Sequence, residues 1–97
     1  MGVAFEWDRR KALSNQRKHG LSFEEAITVF DDPLAYIFDD EEHSTDEEQR
    51  EIVLGHSARN RLLLVSFQER EPNVVRVISA RTATKKERTD YEENAAF

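Results

Sequence analysis

The stretch that decides the fold is RLLLVSFQEREPNVVRVISAR, from Arg61 to Arg81. It contains two runs rich in branched and aromatic apolar residues, RLLLVSFQER and NVVRVISAR, which meet at Glu71-Pro72-Asn73. Such runs are typical of β-strands, and proline followed by asparagine is typical of a turn. The stretch therefore predicts two antiparallel strands joined by a short connection.

Further strands are predicted on both sides of this pair. REIVLGHS (50–57) joins the pair at Ala58-Arg59-Asn60, where Asn60 can adopt the positive φ that a tight hairpin needs. VAFEW (3–7) alternates apolar and polar residues and predicts a short first strand. LAYIF (34–38) is either a further strand or an extended entry to the sheet. The expected sheet is an antiparallel meander.

Three helices complete the prediction. Asp8 can cap the first, DRRKALSNQRKH, which ends before Gly20. The second, LSFEEAITVFDDP, begins with a capping box of Ser22 and Glu25 and ends at Pro33. Its apolar stripe is expected to face the core and consists of Phe23, Ala26, Ile27 and Phe30.

The last helix begins with a second capping box, formed by Thr84 and Glu87. The predicted fold class is therefore α+β, with helices packed on one face of a small antiparallel sheet. The expected order of elements is β-α-α-β-β-β-β-α.

The charge of the chain is unevenly distributed. Its 97 residues, which fit a single domain, include 20 acidic and 14 basic side chains and no cysteine. Eight of the acids lie between Asp39 and Glu51, where Arg50 is the one base, so the rest of the chain is nearly neutral. The absence of cysteine suits a reducing compartment, and no apolar run can span a bilayer, so we expect a cytoplasmic protein without a membrane partner.

A phosphate-binding site is predicted where the last strand passes into the last helix. Arg76 and Arg81 lie in the strand, and Lys85 and Lys86 open a helix whose free N–H groups favour anions. Strict alternation would place the two arginines on opposite faces, so a shared site needs a bulge or a strand that ends before Arg81. The alternative is a set of exposed cations with ordinary surface ion pairs.

The first helix adds a second run of cations suited to a nucleic-acid backbone. Lys11 and Lys18 are seven residues apart and share a face. Trp7 and Tyr91 are available to stack on a base, although a tryptophan beside a short strand is more often buried. The spacing of the histidines predicts no metal site and therefore no metal cofactor. The cations of these two segments that are predicted to bind RNA are Lys11, Lys18, Lys85, Lys86 and Arg88.

Three motifs together resemble a known family. They are WD-x-x-K with KHG, F-x-x-A with FDDP, and ISAR-x-A-T-x-x-ER-x-x-YE, and the similarity spans Phe5 to Glu93. These residues are similar to those of the BrnT toxins of type II toxin–antitoxin systems. The resemblance implies a single RelE-like toxin domain over residues 1–97 and a ribonuclease that blocks translation.

The resemblance also implies partners and a metal-independent mechanism in which the ribose 2′-OH attacks the adjacent phosphate. Arg76 and Arg81 would stabilise the transition-state charge. Arg50 would bind the RNA backbone together with Lys11 and Lys85. The candidates for proton transfer are His19, His43 and Tyr91. The implied partner is a BrnA-like antitoxin, a ribbon-helix-helix dimer that would bring the complex to operator DNA.

Other interpretations besides a ribonuclease remain open from the sequence. The protein could be a non-catalytic binding module or an inactive toxin that acts with its antitoxin in operon repression. A DNA-binding co-repressor is the weaker alternative, because no helix-turn-helix pattern accompanies the basic helix.

Overall fold

The computed structural model describes residues 2–95, the side chain of Ala95 excepted. Its elements are β1 (Ala4–Glu6), α1 (Arg9–His19), α2 (Phe23–Ala26), a 3₁₀ helix (Ile27–Asp31), β2 (Tyr36–Asp39), a short 3₁₀ helix (Glu41–His43), β3 (Glu51–His56), β4 (Leu62–Glu71), β5 (Val74–Thr82) and α3 (Lys85–Ala95). The predicted α+β class and the order β-α-α-β-β-β-β-α are confirmed, with two 3₁₀ helices added. The expected long second helix is wrong in detail, because it tightens to 3₁₀ geometry after Ala26.

The five strands form one sheet in the order β1-β5-β4-β3-β2. Strands β2 to β5 are an antiparallel meander, so residues 36–39 do pair with the sheet. Strand β1 runs parallel to β5, with Phe5 beside Val75, so the sheet is mixed and the prediction of an antiparallel sheet is wrong at this edge. No hairpin joins these two strands, and therefore no turn sequence fixes their relative direction.

Helices α1 and α2 cover one face of the sheet, called here the first face. The buried side chains between the helices and this face include Leu21, Phe23, Ala26 and Val29 from the helical segment and Val53, Leu63, Val65, Phe67, Val75, Val77 and Ala80 from the sheet. Asn15 of α1 is also buried, and its side-chain amide bonds the backbone N–H and C=O of Ala80 at 3.0 and 2.9 Å. This amide therefore fixes α1 against β5 by satisfying two backbone groups at once.

Most of the predicted helix ends and turns are present. Asp8 accepts from the N–H groups of Arg10 and Lys11, which lower the pKa of this carboxyl, and Gly20 has a φ of +68°. Asn60 and Asn73 also adopt positive φ in the two turns.

The two predicted capping boxes differ in outcome. Thr84 and Glu87 make both reciprocal hydrogen bonds, at 3.2 and 2.8 Å. Ser22 Oγ accepts from the N–H of Glu25 at 3.1 Å, but the Glu25 carboxylate bonds Arg61 and Ser57 instead of turning back. The Glu25 carboxylate therefore makes tertiary contacts in place of the second hydrogen bond of the capping box.

The last helix lies on the other side of the sheet, called here the second face. Tyr91 of α3 packs in a separate apolar cluster with Leu54, Leu62 and Leu64, which alternate with the residues that face α1 and α2. The expectation that all helices share one face is therefore wrong. In the part of the chain that the structure describes, no helix has the length and apolar character needed to cross a membrane.

Candidate functional site

A β-bulge brings Arg76 and Arg81 to the same face of the sheet. Ser66 pairs with Ser79 and Phe67 pairs with Val77, so β5 has one extra residue, Ile78, at this point. The extra residue reverses the alternation, and Arg76 now lies beside Gln68 while Arg81 lies beside Leu64, both on the second face.

Arg50 lies between these two arginines and joins two cavities into one groove. The first cavity, of about 510 Å³, is lined by Lys11, Arg50, Arg76 and Ile78 among others. The second, of about 330 Å³, is lined by Arg50, Ile78, Ser79 and Arg81 among others. Because the cavities share Arg50 and Ile78, we treat them as one feature, the cationic groove, defined by Lys11, Arg50, Arg76 and Arg81.

His43 lines the cationic groove on the side of the loop between β2 and β3. Its Nδ1 lies 2.9 and 3.1 Å from the two carboxylate oxygens of Asp40, whose side chain is 11% exposed. A carboxylate at Nδ1 favours the tautomer with the proton on that nitrogen, which leaves Nε2 as an acceptor. The histidine is therefore oriented for proton transfer at its free nitrogen.

The three arginines that define the groove, Arg50, Arg76 and Arg81, also have carboxylate partners. Arg76 donates to Glu6 at 2.8 Å and Arg50 to Glu48 at 3.2 Å, and both carboxylates are largely exposed. Arg81 forms a two-point ion pair with Glu87, with Nη1–Oε1 and Nη2–Oε2 both at 2.8 Å. The guanidinium lowers the pKa of Glu87 to about 2 and its own pKa is raised. Of the three pairs, that of Arg81 is the least exposed and has two-point geometry, so Arg81 is the best positioned cation of the three.

The loop over residues 40–50 gives the groove a mixed charge. Glu47 and Glu48 line the first cavity and Asp40 and Glu42 line the second. Ser44 ties the two ends of this loop together, because its hydroxyl accepts from the N–H of Arg50 at 2.9 Å and donates to the C=O of Asp40 at 2.7 Å. The acidic loop is therefore a fixed wall, opposite the β5 arginines.

Lys18 and His19, two of the predicted site residues, lie apart from the groove. Both are exposed in the last turn of α1, on the helical layer of the first face. Lys85 and Lys86, at the start of α3, and Arg88, one turn later, are also exposed and line neither cavity of the groove.

Tyr91 does not line the groove. It lies in a buried network between α3 and the second face of the sheet. Its hydroxyl donates to Asp32 Oδ2 at 2.7 Å, and its ring meets that of His56 edge-on with centroids 5.0 Å apart. Burial and the Asp32 carboxylate raise the pKa of Tyr91 to about 12. The placement argues against the predicted catalytic role, because a phenol held this way is a poor proton donor or acceptor near neutral pH.

The sequence also failed to identify the carboxylates that hold this region. Burial raises the pKa of Asp32, but bonds from the N–H of His56, from Tyr91 and from the N–H of Leu34 outweigh it and lower the pKa overall. Glu25 is buried, and Arg61 and Ser57 bond its carboxylate, which keeps its pKa low. All of these partners except Leu34 are distant in sequence, so no local motif could have revealed them.

The aromatic side chains on the second face of the sheet differ from those predicted to stack on a base. Trp7 packs edge-on against Phe23 in the core, with ring centroids 5.9 Å apart. Tyr36 and Phe38 lie instead on the second face of β2, with centroids 5.2 Å apart, and Phe38 pairs with Ile52 of the groove. The side chain of Tyr36 is 37% exposed and is therefore accessible to a ligand.

A metal site was not expected from the sequence. Within residues 2–95, no three histidine, aspartate or glutamate side chains are placed to hold a metal ion together.

Comparison with known proteins identifies the family. Residues 7–87 match the family model for "Ribonuclease toxin, BrnT, of type II toxin-antitoxin system". The crystal structure of the Brucella abortus ribonuclease toxin BrnT shares the fold, with a TM-score of 0.62 and 24% identity over 88% of this chain and 99% of that one. No curated protein matches the chain. Because the family model covers most of its length, the chain belongs to the BrnT family of type II toxin–antitoxin ribonuclease toxins.

Proposed function

We propose that this ribonuclease cleaves RNA in the cationic groove by a metal-independent attack of the ribose 2′-OH on the adjacent phosphorus. In this reaction the P–O2′ bond forms, the P–O5′ bond breaks, and the products carry a 2′,3′-cyclic phosphate and a 5′-OH. The observation that carries the proposal is the placement of the His43–Asp40 pair in the same cavity as Arg50 and Arg81.

His43 is the proposed general base. Asp40 holds the proton on Nδ1, so Nε2 is free to take the proton of the 2′-OH, and the departing 5′ oxygen takes a proton from solvent. A positioned general base contributes about 10²–10⁴-fold to a rate. His43 replaces His19 and Tyr91 in this role.

The arginines stabilise the charge that develops on the phosphorane. A guanidinium has five N–H donors in a fixed plane and pairs well with phosphate oxygens. Arg81, fixed by Glu87, and Arg50 lie in the cavity with His43, while Arg76 and Lys11 bind neighbouring phosphates in the other cavity. Tyr36 and Phe38 are then available to stack on an unpaired base.

The partners follow from the family. A type II system pairs a toxin with a protein antitoxin, and we propose a BrnA-like ribbon-helix-helix dimer that binds operator DNA. The toxin is proposed to act as one domain in the cytoplasm, where its RNA substrate is found.

The test is cleavage of RNA by the purified chain, with free RNA and with translating ribosomes, in the presence of a metal chelator. We expect 2′,3′-cyclic phosphate ends, and no cleavage where a 2′-deoxy nucleotide replaces the attacking ribose. His43→Asn should reduce the rate by about 10²-fold or more. His19→Asn, an exposed histidine elsewhere, is the matched control. Activity lost in the control and kept in His43→Asn would refute the assignment.

A further inference from the structure

A cleft on the first face is left uncovered by the helices. It has a volume of about 450 Å³ and lies where β1, β5, β4 and β2 pass the end of the first 3₁₀ helix. Phe30 contacts two further phenylalanines from separate elements there. Phe30 lies 5.2 Å from Phe5 and 5.1 Å from Phe67, measured between ring centroids. We call this feature the apolar cleft.

The walls of the apolar cleft include large apolar side chains that water still reaches. Val3 is 49% exposed and Ile37 is 50% exposed, and both line the cleft. A single exposed apolar residue is unremarkable, but a concave group of them around an aromatic floor marks a binding surface. The cleft is therefore a candidate contact for another molecule.

The rim of the apolar cleft is acidic. Asp31, Glu51 and Glu69 line it, and among residues 2–95 no lysine, arginine or histidine does so. Burial raises the pKa of Glu51, and the negative charges of Asp39 and Glu69 raise it further. An anionic ligand is therefore repelled, and a cationic group at the rim would be attracted.

We propose that the apolar cleft binds a segment of the protein antitoxin that presents apolar side chains flanked by lysine or arginine. The inference rests on the proposed function only in requiring an antitoxin partner. RNA is a poor occupant because its phosphates would face the acidic rim. The arginines of the cationic groove lie on the opposite face of the sheet, and Glu69 lines both the groove and the apolar cleft. Asp31 and Ile37 of the cleft line neither cavity of the groove.

The neighbouring edge of the sheet suits an extended segment. Strand β2 ends the sheet formed by the described residues, and its Ile37 side chain lines the cleft. An added strand can pair with the outer backbone groups of such an edge while its alternate side chains enter a pocket. A volume near 450 Å³ holds a few side chains, as a segment of this kind requires.

The experiment measures binding of the purified antitoxin encoded with this chain to the parent toxin and to two pairs of variants. Ile37→Asp places a charge in the cleft, and Leu34→Asp places the same charge at an apolar position that is 53% exposed outside it. Asp31→Lys reverses a charge at the rim, and Glu24→Lys reverses an exposed charge on α2. The cleft variants should bind about tenfold more weakly or worse, and the controls should remain within about threefold of the parent.

RNA cleavage by each toxin alone is measured in parallel and should be the same for all four variants and the parent. Thermal unfolding checks that each variant is folded, and Asp31→Lys, at an exposed position, carries the test if Ile37→Asp does not fold. Antitoxin affinity unchanged in the folded cleft variants would overturn the proposal. A parent dimer that only these variants dissociate, with antitoxin affinity intact, would overturn it in favour of a second copy. A parent that binds antitoxin but cuts no RNA would count against the proposed mechanism alone.

Discussion

Carboxylates bind basic side chains in two regions of this protein, and the regions differ in how far water reaches them. Behind the β3–β4 turn, the Glu25 side chain is 6% exposed and accepts from Arg61 and Ser57. In the cationic groove, Glu6 and Glu48 are 45% and 44% exposed and pair with Arg76 and Arg50. The carboxylate of Glu25 is thus buried where it meets its arginine, whereas Glu6 and Glu48 meet their arginines at the surface.

The difference in burial determines what each pair can do. Removing a buried carboxylate such as Glu25 is costly because the buried Ser57 hydroxyl loses its acceptor, whereas Arg61 is 41% exposed and is solvated without its partner. An exposed pair contributes little to stability and its cation can exchange a carboxylate for a phosphate at small cost. Arg81 and Glu87 lie between these limits, with 38% and 23% of their side chains exposed.

The largest expected effect is on catalysis and is a test of Arg81. Arg81→Ala should reduce RNA cleavage by about 10²–10³-fold, the usual cost of removing one donor to a developing oxyanion. Glu87→Gln is the comparison variant. Glutamine can still form the capping box with Thr84, and the protein still contains the Arg81 guanidinium. It should lose far less activity in the same single-turnover assay. Equal losses in the two variants would mean that Arg81 acts only by holding α3.

The next largest effect is on folding and is a test of Glu25. Glu25→Ala leaves the buried Ser57 hydroxyl without its acceptor, while Arg61 is exposed and becomes solvated, and should lower the free energy of unfolding by about 1–2 kcal/mol. Urea denaturation measures this, and cleavage per folded molecule should not change. Glu24→Ala, an exposed neighbour, is the control. A loss below about 0.5 kcal/mol, typical of surface positions, would show that burial does not distinguish this carboxylate.

These two regions also show what the sequence could and could not predict. Local patterns were sufficient for the strands, the turns at Asn60 and Asn73 and the Thr84–Glu87 capping box, because each depends on neighbours in the chain. The position of β1 beside β5 and the side of the sheet that α3 occupies depend on packing over long distances. Periodicity alone could not fix either of them.

The groove was only partly predictable for a related reason. Regular alternation separates Arg76 from Arg81, and the bulge at Ile78 reverses this result. A signal was present in the sequence, since the apolar positions change from odd, at Val75 and Val77, to even, at Ile78 and Ala80. Because Val77 and Ile78 are both apolar, the position of this change was concealed. The His43–Asp40 pair lies in a loop that has no periodicity to interpret.

A smaller effect is expected when pH is lowered. The pKa of Glu87 is about 2 in the fold, and those of Glu25 and Asp32 are also lowered, so these groups stabilise the fold when ionised. Their contribution is complete above the unfolded values near 4–4.5 and is lost as pH falls toward 2. Glu87 should contribute about 1 kcal/mol after screening of a partly exposed pair is allowed for.

The measurement for this contribution is the urea midpoint between pH 6 and pH 3. The parent should lose stability as pH falls, and Glu87→Gln should lose about 1 kcal/mol less over the same range, because glutamine does not titrate. Parallel curves for the two proteins would show that the Arg81–Glu87 pair is no stronger than an exposed one. That result would mean that the ion pairs of Arg50, Arg76 and Arg81 all contribute as little to stability as an ordinary surface pair.

The smallest effect is expected for Glu6, the most exposed carboxylate of the comparison. Glu6→Gln should change the free energy of unfolding by less than about 0.5 kcal/mol, because Arg76 remains solvated without its partner. It should tighten RNA binding by about twofold and steepen the salt dependence slightly, since one more cation is free to bind phosphate. Fluorescence anisotropy with labelled single-stranded RNA measures both, with Glu24→Gln as the control. A clear loss of stability with unchanged RNA affinity would mean that Arg76–Glu6 joins β1 to β5, and that exposure alone does not make a groove cation available to RNA.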